Sequence, residues 1–387
     1  MSATATALAG WVAQTPLIDG VLFGSSDGEM EGPPVCAVAV AGTLRGYGKG
    51  RTQSQALASA VGEVLELLAA SQAVGPQRLL CAPFAEIAAH AFDPRWLGLY
   101  QPHQYCRSGF PFHPFRAEQP LHWIEGRWLD SGELVYLPAF AVYLGDAFAD
   151  EALCQVTSSG LAAGPSLEEA VEHAILELYE RDAFLLSWLA LLPKLRVAAH
   201  GSEILRHLRS RGADTDLYLI AQSPSHAVAV AVGMGDGEQW PAFTLGLGAA
   251  RNAEDAVDKA ILELGQTAPF LRRQWRAGEV PLPASPQDIQ LFRDHALYYC
   301  DALHWAEFEP WRRTPQGLPN VDDSDVRIAV VDLTPPALAA SPYRVARALA
   351  RGLQPVYCGY GFERLACQRL ADLLAGRAAN PAPVPIC

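Results

Sequence analysis

Three stretches of the chain set acids at one spacing: Thr52-Gln55-Ala56-Ala60-Glu63-Glu66, Ser166-Glu169-Ala170-Ala174-Glu177-Glu180 and Asn252-Asp255-Ala256-Ala260-Glu263-Gln266. Each opens as a capping box, with a side-chain oxygen placed for orphan helix amides. At ~100° per residue a helix puts the two alanines and the first Glu on one face, the last acid or amide roughly 60° round. Small side chains beside carboxylates leave a gap floored by backbone and rimmed by acids. Acids gathered this way suit a hard cation such as Mg²⁺, and Mg²⁺ usually arrives with phosphates. A single copy would read as an ordinary solvent-facing helix. Three copies in one register, with Val64, Leu65, Ile175, Leu176, Ile261 and Leu262 crowding the acids, read as buried helices. A buried acid needs a partner or a metal.

Short β segments precede these helices. Val35–Val40 reads as a strand, and a glycine-rich turn (Gly46, Gly48, Gly50) then feeds the first helix. Leu134–Leu144 is a second strand candidate. Ala227–Val232 and Phe243–Leu247 flank Gly233, Gly235 and Gly237 as a hairpin. Arg327–Leu333, apolar through its middle, reads as a buried strand. Residues 80–125, rich in Pro, His and aromatics, read as packed loops and short elements. Hairpins before helices predict an α/β fold with mixed or antiparallel sheet. Glu63 lies 114 residues from Glu177, and Glu177 lies 86 from Glu263. Such long gaps point to one composite domain over 16–380, after a loose segment 1–15 and before a proline-rich tail 381–387.

Half of the 387 residues are hydrophobic and 18% are charged, enough to fill a large core. The formal net charge of −13 argues against non-specific binding to nucleic acid or an anionic membrane. The eight cysteines include no C-x-x-C pair and no zinc spacing, so they read as free thiols. Without a signal peptide or a membrane-length apolar run, the expected location is the cytoplasm. Familiar nucleotide motifs are missing. Gly48-Lys49-Gly50 lacks the Ser or Thr of a phosphate loop, and Gly246-x-Gly248 fails the dinucleotide fingerprint because Arg251 takes the last place. If phosphates bind, they bind in a less common fold.

The chain nevertheless resembles a known family, the YcaO-domain proteins, over about Pro16 to Pro385. The likeness rests on Gly48-Lys49-Gly50 followed by Ser59, Glu63 and Glu66, then Ser159-Gly160-Leu161-Ala162-Ala163-Gly164, then Glu177-x-x-Glu180-Arg181-Asp182-Ala183. Glu263-x-x-Gln266 and the terminal Pro381-x-Pro383-x-Pro385 continue it. The resemblance implies ATP and Mg²⁺ as cofactors and activation of peptide amides by phosphorylation. With the proline motif it implies cyclodehydration of Cys, Ser or Thr in a ribosomally made precursor peptide to thiazoline or oxazoline. It assigns Ser59, Glu63 and Glu66 to one ATP/Mg²⁺ set and Glu177, Glu180 and Arg181 to another, with Glu63, Glu66, Glu177 and Glu180 as metal ligands. Arg181, with Glu180, would act on the transferring phosphoryl group. Glu169, Lys49, Arg251 and Glu263 are further nucleotide candidates, and Gln266 suits the ribose or base better than the metal.

Two departures stand out. Pro165 occupies a place where related proteins often carry Asn. Ile386 and Cys387 extend past Pro385, so a terminal carboxylate with a catalytic role would be shifted by ~6–7 Å if the tail stays extended. Fewer than 50 residues precede the Gly-Lys-Gly turn. The resemblance therefore implies a separate leader-binding partner of E1-like (ThiF-like) type, a flavin dehydrogenase, and a homodimer. Thioamide or amidine synthesis with an external nucleophile is the alternative chemistry, and a non-catalytic scaffold is the third reading.

Overall fold

Residues Ala227–Val232 alternate Ala and Val without exception. A strand sends successive side chains to opposite faces, so one face carries only alanines and the other only valines. The structure, a computed structural model, describes residues 3–24, 33–72, 79–198, 201–278, 280–319 and 321–386. In it, Ala227, Ala229 and Ala231 face one hydrophobic cluster and Val228, Val230 and Val232 another. That division recurs through the molecule and sets where its helices lie.

Among the described residues three antiparallel sheets carry the fold. The first pairs β1 (Gly20–Gly24), β2 (Val35–Ala41) and β3 (Leu44–Gly50) in that order. The chain then lays down β4 (Leu79–Pro83), β5 (Pro120–Trp128), β6 (Leu134–Pro138) and β7 (Leu161–Gly164). A second sheet follows from β8 (Leu195–Arg196), β9 (Asp214–Gln222), β10 (Ala227–Met234) and β11 (Phe243–Ala250), ordered β11-β10-β9-β8. Finally β12 (Arg327–Asp332) and β13 (Arg344–Arg351) return to complete a six-stranded sheet, β4-β5-β12-β13-β7, with β6 beside β5. Every pairing between these strands is antiparallel.

Three long helices follow β3, β7 and β11: Gln53–Ser71, Leu167–Leu189 and Ala253–Ala277, called here the first, second and third acidic helix. Thr52, Ser166 and Asn252 precede them in nearly identical extended backbone, with φ of −134°, −134° and −135°. Each cap side chain accepts the amide three residues on, at Gln55, Glu169 and Asp255. The return half of a capping box is replaced in two helices. Gln55 accepts from the Arg51 amide, and Asp255 accepts from the Asn252 side chain.

Each helix lies unusually low on its sheet. Ala56, Ala60, Ala170, Ala174, Ala256 and Ala260 are fully buried, and the strands beneath offer glycine or alanine. A Cβ at Gly48 would collide with the Ala56 carbonyl and the Ala60 amide, and one at Gly248 with the same groups of Ala256 and Ala260. At Gly164 it would come within 2.7 Å of the Ala170 amide. Backbone thus rests on backbone, which only glycine permits.

Two expectations fail. The segment expected to be loose at 1–15 contains a helix, Ala3–Val12, because Leu8 is 1% exposed and Trp11 and Val12 pack on the core. The strand expected over Leu134–Leu144 stops at Pro138, whose ring fixes φ at −63° and starts a helical turn, Ala139–Val142. The proline-rich tail is seated in the body. Val384 and Ile386 are fully buried in the cluster that also holds Trp188 and Tyr299. Trp188, Tyr299 and His295 each direct a ring group at a tail carbonyl, those of Ala382, Pro383 and Val384, at 3.0, 2.7 and 2.9 Å.

Candidate active site

The seated helices bring most of the expected residues into one electrostatic chain. Glu263 on the third helix ion-pairs with Lys49 on β3, and Lys49 acts on Glu63 of the first helix. The charges of Glu63 and of Glu177 on the second helix both act on Glu66. Glu177 in turn lies beside Arg181 (3.8 Å), Glu180 and Arg347. Arg181 Nε reaches Glu180 at 4.0 Å, a loose pair.

Backbone amides fix the acids. Glu63 accepts from the Tyr47 amide at 2.8 Å, Glu66 from the Ala163 amide at 2.7 Å, and Glu177 from the Gly160 amide at 3.3 Å. Even so, burial pushes the Glu63 carboxyl above its ordinary range, against the pull of Tyr47 and Lys49. Burial pushes Glu66 well above it, and the charges of Glu177 and Glu63 add to that rise. Glu177 is raised to about 7, chiefly by burial and despite Arg181. Three acids crowded in partial burial, one of them with no ion pair among the described residues, are a set that a positive ion would relieve.

The arrangement fits a divalent ion shared with phosphate better than a closed protein cage. Among the described residues no three His, Cys, Asp or Glu side chains gather closely enough to hold a metal by themselves. Mg²⁺ takes one or two carboxylates, keeps several waters and completes its shell with substrate phosphates. Arg181 supplies a cation at the edge of the same group.

Other expected residues stand apart. Ser59 is exposed one turn before Glu63, and Glu169 is exposed in the first turn of the second helix, where its charge reaches Tyr343. Arg251 is exposed and paired through two hydrogen bonds to Glu172 of the second helix, one at 2.7 Å. That contact joins the third strand–helix unit to the second, as Arg51–Asp258 at 2.8 Å joins the first to the third. Gln266 is partly buried on the third helix. Pro385 lies against Thr244, Leu245, Thr267 and Tyr299 at a small cavity, and Cys387 falls outside the described residues. Asp182, next to Arg181, points elsewhere: it is 2% exposed, pairs with Arg369 at 3.1 Å and accepts from the Gln354 amide.

Sequence reasoning passed over Arg347 and Arg364, both almost fully buried. A signal existed for the first. In β13 the positions 345, 347 and 349 share a face, so Arg347 sits in a row with Val345 and Leu349, where an apolar residue is expected. Arg364 lies in an irregular loop with no periodicity to betray it.

Comparison with known proteins bears on this geometry. The family profile described as YcaO cyclodehydratase, ATP- and Mg²⁺-binding, matches residues 47–354. A protein from Methanothermobacter thermautotrophicus, itself of uncharacterised function, is 28% identical over 231 residues, covering 57% of this chain and 56% of that one. Among solved structures, a heterocyclase in complex with substrate and cofactor superposes with a TM-score of 0.78 at 17% identity, over all of this chain and 57% of its own. The YcaO of Methanopyrus kandleri, bound with AMPPCP and Mg²⁺, gives 0.61 at 23% identity, covering 90% of this chain and 88% of that one. The E. coli microcin synthetase McbBCD complex with pro-MccB17 gives 0.64 at 15% identity, covering 86% and 88%. The chain thus spans little more than half the length of the archaeal relative and of that heterocyclase. With a profile match over most of its length and the same antiparallel α/β fold, the chain belongs to the YcaO family, whose members bind ATP and Mg²⁺.

Proposed function

We propose that this chain consumes ATP to cyclodehydrate Cys, Ser or Thr residues of a ribosomally made precursor peptide. The single observation that carries the reading is the pair of raised acids Glu66 and Glu177 on two helices, with no ion pair to Glu66 among the described residues. Two raised, neighbouring acids are stable as carboxylates only when a cation lies between them. Mg²⁺ there would draw the phosphates of ATP and offset the charge that builds on the transferring group.

The chain's own residues take the following parts. Glu63, Glu66, Glu177 and Glu180 would hold Mg²⁺ as pairs, one or two carboxylates to an ion, with ATP phosphates and water supplying the remaining oxygens. Arg181 neutralises charge on phosphate, and its loose contacts with Glu177 and Glu180 leave it free to turn toward that task. Lys49 and Glu263 fix β3 against the third helix, which makes them positioning residues, while Gln266 suits the ribose or base. Ser59, Glu169 and Arg251 complete the proposed nucleotide set from the exposed rim. The three capped helices act as one repeated device, two copies holding metal and phosphate and the third closing the site. In the net reaction the side-chain nucleophile adds to the preceding peptide carbonyl. The carbonyl oxygen then leaves with the γ-phosphoryl group, giving azoline, ADP and inorganic phosphate.

Complexes such as McbBCD with pro-MccB17 support a substrate presented by partner proteins. An E1-like leader-binding partner, a flavin dehydrogenase that oxidises the azoline, and a homodimeric state belong to the same proposal. So does the division into a catalytic body over 16–380 and a tail 381–387, whose seating beside Thr244 and Tyr299 keeps it near the third helix. The test is mass analysis of a Cys-containing precursor incubated with ATP, Mg²⁺ and the partner. Loss of one water per modified residue, with matching phosphate release, is expected. Replacement of oxygen by sulfur with a sulfur donor present would instead assign thioamide chemistry.

A further inference from the structure

Behind Arg181 lies a cavity of about 80 Å³, and two other arginines open onto it. Arg347 is 3% exposed and Arg364 is 2% exposed, and neither makes an ion pair among the described residues. The charge of Glu177 acts on Arg347 from beyond ion-pair distance, and burying a guanidinium without a contacting anion is costly. Arg347 uses Nη2 on the carbonyls of Ala141 (2.9 Å) and Thr157 (2.8 Å), and Arg364 uses Nη2 on the Gln155 carbonyl (2.6 Å). Arg364 also stacks over the Tyr100 ring beside the Cys154 thiol. The Nε and Nη1 groups of both arginines have no hydrogen-bond partner, and Gln354 Oε1 on the same wall has none either.

We infer that this cavity is a binding site for a small tetrahedral oxyanion, and that its occupant is inorganic phosphate. The unpartnered Nε and Nη1 atoms of the two fixed cations carry six N–H bonds, more than the roughly four lone-pair sites of a carboxylate can take, whereas an anion with four oxygens can use them. Gln354 Oε1 supplies the acceptor that the hydroxyl of hydrogen phosphate needs. The choice of phosphate rests on the proposed function, because that reaction releases phosphate on the Arg181 side of the site. Arg181 lines both places, so the cavity is where the product would go once it separates from ADP.

The experiment is thermal denaturation of the full chain in inorganic phosphate against chloride at matched ionic strength. It is run alone and with the nucleotide site filled by Mg²⁺·AMPPCP, so that phosphate cannot report on that site. A saturable rise in Tm that persists under nucleotide is expected. Arg364→Met and Arg347→Met should each weaken the apparent phosphate affinity by ~10-fold or more, while leaving the rise caused by Mg²⁺·AMPPCP in place for Arg364→Met. Methionine fills the space without charge, so these variants should fold. Should one fail to fold, the other variant and the wild-type response decide. No phosphate-specific rise in the wild type, or an undiminished rise in a folded variant, overturns the inference. A phosphate response without any nucleotide response would instead overturn the proposed function and leave the anion site standing.

Discussion

Two helix junctions in this molecule use equivalent positions to opposite electrostatic ends. Where the first acidic helix meets β7, burial and the charge of Glu177 raise Glu66, while burial, with Glu180 beside it, raises Glu177. Where the third helix meets β3, Glu263 occupies the position of Glu63 and Glu177 but is matched by Lys49, and Gln266 replaces the second acid. The first junction leaves raised, crowded acids that, on the proposed function, an added cation would complete. The second is complete as it stands. Repeated geometry thus carries different electrostatics in its copies, set by which acids find a cation within the chain.

The comparison can be broken most sharply at Glu66. Glu66→Gln should reduce ATP turnover by ~10²-fold or more and abolish the Mg²⁺-dependent rise in Tm with AMPPCP. The same change should leave the unliganded protein no less stable, since it removes a repulsive buried acid. A variant that loses stability without nucleotide and keeps its nucleotide response would show that the acid serves folding instead. Next in size is Gly48→Ala, whose methyl would strike the backbone of the first helix. A loss of ~1–3 kcal/mol in chemical denaturation is expected from overpacking. Lys49→Met should act more mildly, raising the KM for ATP a few-fold in steady-state assays, because a partly exposed ion pair contributes little. Arg251→Ala, which removes an exposed pair with Glu172, should leave Tm unchanged and alter turnover least.

Acidity offers a further contrast between the two junctions. Glu177 titrates near 7 in the folded chain against an ordinary value of 4.5, so between these the folded state holds a proton that the unfolded chain has released. Its contribution is therefore present in full below the unfolded value and is lost as pH rises through about 7. Buried Asp182, also raised to about 7, adds the same sign, while His295, lowered to about 4 by burial, opposes it at more acid pH. The decisive measurement is the difference in stability between wild type and Glu177→Gln from pH 5 to 8. Wild type should lose ground to the variant as pH rises, and saturating Mg²⁺·AMPPCP should suppress that trend by replacing the proton with a cation.

The residues that follow a periodic rule were legible in advance. The helix starts at Thr52, Ser166 and Asn252 are written in local chemistry, and the hairpin of β10 and β11 in alternation and glycine. Antiparallel pairing across the six-stranded sheet was only half legible, since β7 meets β13 from 180 residues away. The helix at Ala3–Val12 was missed because its stability comes from Leu8 docking on a distant core, not from local propensity. Among site residues, the acids could be read because they repeat. Their closeness, Glu66 to Glu177 above all, could not, as it depends on how far each helix sinks onto its sheet. Arg364 was invisible for a related reason: nothing in a loop sequence says that its cation will be buried.

The low seat of the acidic helices has a consequence for how such a chain can change over time. Because Gly48 and Gly248 let helix backbone rest on strand backbone, main-chain contact helps set the depth at which the first and third helices hold their acids. Large parts of the interior can then drift in composition while the acids keep their places. Solved relatives that share this fold at only 15–23% identity are what such tolerance would leave behind.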